Sequence, residues 1–199
     1  MVKYQSTRGH KETISFEDVI LSGLAPDKGL YLPNSLTIDN LSHLTEEDLS
    51  YEDFVKTIFI ALDKNSAKYV DDLSLYSGFE NSPEPLLKDL NDTTFVMELF
   101  HGPTKSFKDY ALQPLGAIAD KRLSELGERG LVLVATSGDT GSAAIQAVKD
   151  SENIDIVVLH PANKISDYQR KQMTSVIKDN VFNVAVEGSY DDCQRIAKE

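Results

Sequence analysis

Two short stretches carry residues whose types and spacing could do chemistry. The first is Glu98-Leu99-Phe100-His101-Gly102-Pro103-Thr104-Lys105-Ser106-Phe107-Lys108-Asp109. Gly102-Pro103 breaks both strand and helix, and Ser106 with Asp109 three residues on is a helix start signal. Lys108 then falls in the first turn of a helix, in line with Leu112, Leu115, Ala119, Leu123 and Leu126 at helical spacing. A cation is disfavoured near the positive end of a helix dipole, and a buried ammonium must be paired or lose its proton. Both effects lower a lysine pKa, as an amine that forms a Schiff base requires. The plainer reading is a lysine that snorkels to solvent or pairs with Asp109.

The second stretch is Thr136-Ser137-Gly138-Asp139-Thr140-Gly141. Two glycines let a backbone approach a ligand closely, and hydroxyls with free N–H groups at a helix N-terminus suit a carboxylate or phosphate. The pattern is neither G-x-G-x-x-G nor a P-loop, since it lacks the P-loop lysine. Asp139 argues against a simple anion cradle, because a carboxylate there hydrogen-bonds a hydroxyl or a protonated group more naturally. The alternative is an S-G-D turn that merely caps a helix. Taken together, a poised lysine at one helix start and a Gly/Ser/Thr loop at the next suit an aldehyde cofactor and an amino-acid carboxylate.

The elements that must position these stretches follow from periodicity. The apolar run Phe95–Phe100 reads as a buried strand, and the helix after it spans about Phe107 to Leu126. Leu131–Ala135 is a continuous apolar run, as in a strand buried on both faces. It leads to a helix over Gly138–Asp150, a strand over Ile154–Leu159, and a helix opened by Ser166-x-x-Gln169. A strand over Val181–Val186 and a helix opened by Ser189-x-x-Asp192 complete the alternation. Strands alternating with helices predict an α/β fold, a parallel sheet with helices on both faces. The second stretch then lies at the carboxyl end of a strand, where open α/β sheets bind ligands.

Residues 1–93 read differently, as a small α+β region. Ser15 with Asp18 starts a short helix that ends by Gly23, Gly29–Pro33 is a short strand, and Tyr51–Leu62 is an amphipathic helix. Ser77–Pro85 is a loop and a candidate boundary. The expected domains are therefore residues 1–93 and an incomplete α/β domain over 94–199. The helix still running at Glu199, without a cap, reads as a truncation.

Twenty basic against thirty-two acidic residues give a net charge of −12. Such a chain repels phosphate backbones and anionic lipid, so nucleic acid and membrane are not its expected partners. No apolar run approaches the ~18 residues of a membrane span, and the first residues lack a signal-peptide core. The single cysteine, Cys193, allows no internal disulfide and fits a reducing, cytoplasmic compartment. His10, His43, His101 and His160 lie too far apart for local metal-ligand spacing, so no metal is expected.

The string ELFHGPTKSFKDYALQ resembles the lysine motif of threonine synthases, ELFHGPT-x-x-FKD-x-x-LQ, and TSGDTGSAA resembles that family's substrate loop. YQSTRG, SFEDVILSGLAPDKGLYLP, HPANKIS and VEGSYDDCQ follow the family in the same order, across essentially the whole chain but only the first half of a full threonine synthase. The resemblance implies a pyridoxal phosphate enzyme of the tryptophan synthase β-like fold. It implies conversion of O-phospho-L-homoserine and water to L-threonine and phosphate, by a monomer or homodimer. Lys108 matches the lysine that holds the cofactor and shuttles protons. Asp139 matches a loop position near the cofactor's ring hydroxyl, and Ser137, Thr140 and Gly141 match the part that grips the substrate carboxylate. Thr7 and Arg8 match an N-terminal motif of unassigned role.

This sequence departs from the pattern in two ways. The family's Gly/Asn-rich loop for the cofactor phosphate and its hydroxyl residue near the pyridine nitrogen lie further downstream and are absent, and Asn163 stands where many members carry glycine. Residues 1–199 alone are expected to be catalytically silent and to expose apolar surface. The alternatives are a related phospho-lyase that eliminates phosphate without making threonine, a non-catalytic α/β binding module, and an inactive or partner-dependent fragment.

Overall fold

The computed structural model describes residues 2–35, 49–71 and 74–199; His43 lies outside them. The chain divides into two compact units, residues 1–75 and 76–199. That division falls earlier than the boundary expected after residue 93. Tyr76 and Phe79 belong to the second unit because their rings pack on each other and on Tyr110, with centroids 5.1–6.4 Å apart.

In the first unit β1 (Tyr4–Ser6) pairs antiparallel with β2 (Tyr31–Pro33). Ser15 caps α1 (Phe16–Val19) and Ser50 caps α2 (Tyr51–Leu62), each side chain accepting the N–H three residues on. A short 3-10 turn leads into α3 (Ala67–Val70). Tyr4, Phe16 and Tyr69 form a buried aromatic series, adjacent rings 6.2 and 6.1 Å apart. Asp27 ties the strands' ends together by accepting from Ser6 Oγ (2.6 Å) and from the N–H groups of His10 and Gly29. Thr7 and Arg8 sit on the same junction: Thr7 Oγ1 accepts from Leu30 N–H, and Arg8 Nη1 donates to Asp27 O.

The second unit opens with an antiparallel hairpin, β3 (Leu86–Asn91) and β4 (Thr94–Glu98). This corrects the expectation of a buried strand over Phe95–Phe100: Phe95, Val96 and Met97 are exposed. The β3 strand, Leu86-Leu87-Lys88-Asp89-Leu90-Asn91, carries no clean period and was not expected. After the lysine loop comes α4 (Asp109–Leu126), then β5 (Gly130–Ala135), α5 (Asp139–Val148), β6 (Ile154–Pro161), α6 (Asp167–Thr174), β7 (Val181–Val186) and α7 (Tyr190–Lys198).

Strands β5, β6 and β7 form a parallel sheet in that order, as the alternation predicts. Because side chains alternate across a strand, Val132, Val134, Ile156, Val158 and Val181 share one face. That face packs into a core with Ala144, Ile145 and Val148 of α5, Leu123 of α4 and Met173 of α6. Helix α7 packs on the other face, over β5 and β6. It covers that face only in part: Leu131 is 65% and Phe182 50% exposed, so β5 is not buried on both faces.

Two polar connections fix the helices to the sheet. Asp120 of α4 accepts from Ser151 Oγ and from both N–H groups of Asn153, main-chain and side-chain. Asn180 Nδ2 donates to Val148 O and Ile154 O, each at 2.9 Å, satisfying a carbonyl at the end of α5. Pro114 interrupts the hydrogen-bond ladder of α4, since it has no N–H to give Tyr110 O. Tyr76 Oη donates to that carbonyl at 3.0 Å.

Candidate active site

The lysine loop begins where β4 ends. His101 Nε2 and Glu98 Oε2 are 2.9 Å apart, and the chain then turns through Gly102-Pro103. Asp109, fully buried, organises the turn: its carboxylate accepts from Thr104 N–H (2.9 Å) and Thr104 Oγ1 (2.8 Å). Burial pushes the Asp109 carboxyl above the usual range, against the lowering effect of the bonds from Thr104 and Ser106. A Cβ on Gly102 would lie 2.7 Å from Asp109 Cβ, so the close approach needs glycine. Lys105 takes a left-handed φ of 62° at the tip.

The helix starts at Asp109, with Lys108 in the N-cap position, and not at Phe107 under a Ser106 cap. Asp109 is turned back to Thr104, so it neither completes a capping box with Ser106 nor pairs with Lys108. Lys108 is half-buried with Nζ 4.5 Å from the centre of the Phe107 ring, and that ring is 61% exposed. Among the described residues it has no ion-pair partner. The helical stripe drawn through Lys108 is also only partly inward: Leu112, Ala119 and Leu123 meet the core, while Leu115 and Leu126 are exposed.

The second loop lies at the carboxyl end of β5. Thr136, buried, builds it: its Oγ1 accepts from Gly138 N–H (2.9 Å) and Gly141 N–H (3.0 Å). Gly138, at φ 145° and ψ −78°, precedes the first turn of α5, and only glycine adopts that backbone readily. The first-turn N–H groups of Asp139 and Thr140 have no acceptor within the helix. Ser137 and Asp139 are exposed and Thr140 is half-buried. Gly141 faces the other way: a Cβ there would lie 2.6 Å from Met173 Sδ and 2.9 Å from Val158 Cγ1. Its glycine seats α5 on the sheet, and its N–H is already taken.

Helix α6 brings the two loops together through residues whose local pattern signals only a helix. Gln169 Nε2 donates to Asp139 Oδ1 at 2.7 Å, and Gln172 Nε2 donates to Thr104 O at 3.0 Å. Ser166-x-x-Gln169 signals a cap, and the cap is present, with Ser166 Oγ accepting Gln169 N–H. Nothing local shows that the same glutamine also reaches Asp139, thirty residues away in sequence.

Residues 3–69 match the family model described as threonine synthase N terminus. The chain is 42% identical to threonine synthase of Pseudomonas aeruginosa, over 99% of this chain and 43% of the relative. It is 36% identical to threonine synthase-like 2 of Xenopus laevis, over 96% of this chain and 42% of that one. Its fold superposes on pyridoxal phosphate-bound threonine synthase from Brucella melitensis with a TM-score of 0.80 and 38% identity, covering 100% of this chain and 44% of that one. Yeast threonine synthase gives a TM-score of 0.83 at 33% identity, covering 99% and 43%. The class is thus the α/β, tryptophan synthase β-like fold of pyridoxal phosphate enzymes. Within it, the chain is similar over nearly its whole length to the N-terminal part of threonine synthases. It spans less than half the length of these relatives.

Proposed function

We propose that this chain carries the lysine-bearing part of a threonine synthase active site, for pyridoxal phosphate-dependent conversion of O-phospho-L-homoserine and water to L-threonine and phosphate. The observation that carries the reading is the pairing of the two loops on α6. The loop of a half-buried lysine, without an ion-pair partner among the described residues, and a carboxylate with one oxygen engaged are bonded to the same short helix, at Thr104 O and Asp139 Oδ1. These residues fit the cofactor: Lys108 Nζ is the amine for its aldehyde, and Asp139 Oδ2 is the acceptor for its ring hydroxyl.

Pyridoxal phosphate, when bound, supplies the electron sink. Lys108 Nζ takes and returns protons at the substrate carbons once it is released from covalent duty. The hydroxyls of Ser137 and Thr140, with the N–H groups at the start of α5, receive the substrate carboxylate. Gly141 serves them by letting α5 sit against Thr136 and Met173. The ligands in this reading are small molecules, and the chain acts in the cytoplasm as a monomer or homodimer. Among the described residues no helix is long and apolar enough to cross a membrane.

The test is to incubate the chain with pyridoxal phosphate, reduce with borohydride, digest and locate the label by mass spectrometry. Label at Lys108 is expected, and label at Lys105 in its place would sink the assignment. Threonine and keto acid are measured in parallel on O-phospho-L-homoserine. The 199 residues alone are expected to show no sustained turnover, since they span under half the length of the relatives. The second reading, a phospho-lyase, is kept because threonine synthase-like 2 proteins match at 36–38% identity, close to the threonine synthases. Keto acid without threonine would favour it.

A further inference from the structure

The two glutamines of α6 do more than cap or solvate a helix. Gln169 is oriented from both ends of its amide. Ser166 Oγ donates to Gln169 Oε1 at 3.0 Å, which leaves Nε2 to donate to Asp139 Oδ1 at 2.7 Å. The reversed amide would set an oxygen against a carboxylate oxygen, so the chemistry fixes the orientation. The amide also lies directly on Gly138, where a Cβ would be 2.5 Å from Gln169 Nε2. Gly138 therefore meets two demands at once, a backbone of φ 145° and room for this side chain. Among the described residues the Asp139 carboxylate has no other hydrogen-bond partner, so Oδ2 is open to a ligand donor.

Three residues on, and so on the same side of the helix, Gln172 Nε2 donates to Thr104 O. Thr104 is the residue whose N–H and hydroxyl are both held by Asp109. Its carbonyl leads directly into Lys105-Ser106-Phe107-Lys108. One turn below, Met173 is buried against the site of Gly141, anchoring α6 to the core between the two loops.

We propose that Gln169 and Gln172 are positioning residues that clasp the Asp139 loop and the Lys108 loop to one helix. The clasp sets the placement of the carboxylate relative to the amine, with Gln169 holding Oδ1 so that Oδ2 faces the ligand. This inference rests on the reading of Lys108 and Asp139 as cofactor groups, and it deepens that reading.

The experiment compares the chain with its Gln169→Glu and Gln172→Leu variants by hydrogen–deuterium exchange and by borohydride trapping of pyridoxal phosphate. Gln169→Glu keeps an acceptor for Ser166, and hence the cap, but has no amide N–H for Asp139. It is expected to speed exchange over 137–141, on the order of ten-fold for the loss of one charge-assisted hydrogen bond, with α6 unchanged. Gln172→Leu is expected to speed exchange over 102–108 and to leave 137–141 protected. Both variants are expected to lower labelling at Lys108 several-fold. Exchange that rises in α6 itself, or in neither loop, would mean a purely local role and overturn the clasp. So would unchanged labelling at Lys108 in both variants. Absence of Lys108 label in the unmodified chain would instead remove the cofactor reading, while the exchange pattern still decides whether the clasp holds the loops.

Discussion

At the scale of single residues, Asp109 sets the shape of the lysine loop and does so against its own solvation. Among the described residues no cation pairs with it, and burial raises its pKa, so the fold carries the strain of a desolvated carboxyl group. What offsets that strain is the pair of bonds from Thr104. Asp109→Ala leaves the buried Thr104 N–H and hydroxyl without an acceptor, at about 1–3 kcal/mol. At about 2–4 °C per kcal/mol for a chain of this size, a drop in Tm of several degrees is expected in a thermal melt. An unchanged Tm would show that water replaces the carboxylate at no cost. The same scale explains Asn163. It sits at φ 56°, in the left-handed region that glycine enters freely and asparagine tolerates better than other residues. An asparagine here thus makes the turn that a glycine would make.

At the scale of elements, α5 reads as the helix of a substrate loop, yet its first turn answers first to packing. A methyl at Gly141 meets Met173, Thr136 and Val158 between 2.6 and 2.9 Å, all side chains of a filled interface. Gly141→Ala is expected to destabilise by about 1–3 kcal/mol through overpacking, and a bulkier Gly141→Val by more. Urea unfolding checks this, with a fall in midpoint at constant slope expected. Loss of ligand binding with full stability would return Gly141 to the role of a substrate contact. Helix α4 shows the same precedence. Its close crossing with α5 needs Gly116, where a Cβ would lie 2.7 Å from Ala147 O, and its Pro114 is tolerated because Tyr76 satisfies Tyr110 O.

At the scale of the whole chain, two surfaces bear on behaviour in solution. Leu131, Leu133, Phe182 and Val184 lie on the sheet face that α7 covers in part, and Leu86, Leu87, Leu90, Phe95 and Met97 are exposed on the hairpin. Exposed apolar area of this kind marks an interaction surface or a liability to associate. The isolated chain is expected to enhance the fluorescence of an apolar dye while keeping its helical circular dichroism. A dye response no greater than that of a well-packed globular protein would count against it.

The first unit carries its own pH signature. Tyr4 is buried near Asp63 and Glu17, and burial, followed by those two charges, lifts its pKa from 10.0 to about 12. The folded state therefore favours the protonated phenol. Its contribution is whole below pH 10 and is lost as the pH rises toward 12. Tyr4→Phe is expected to weaken the alkaline loss of stability in that window. An identical alkaline profile in the variant would exclude Tyr4 as its cause.

What the sequence determined by itself is what acts over a few residues. The Ser-x-x-Asp and Ser-x-x-Gln starts of α1, α6 and α7 were legible because a capping bond spans three residues, and α7 forms the complete box. The apolar runs of β5, β6 and β7 and their alternation with helices led to the parallel order, because short crossovers leave few other arrangements. The lysine and glycine motifs marked the two loops. Tertiary structure alone decided which side of each element meets water and which distant groups meet each other. An apolar run does not state whether a second layer will cover it, so β4 and one face of β5 read as buried and are not. The turn of Asp109 toward Thr104, the packing role of Gly141, and the reach of Gln169 and Gln172 were equally hidden. The packing of Gly141 and the reach of the two glutamines depend on the separation of chain segments once α6 has docked on the sheet, a distance that no local pattern of residues encodes.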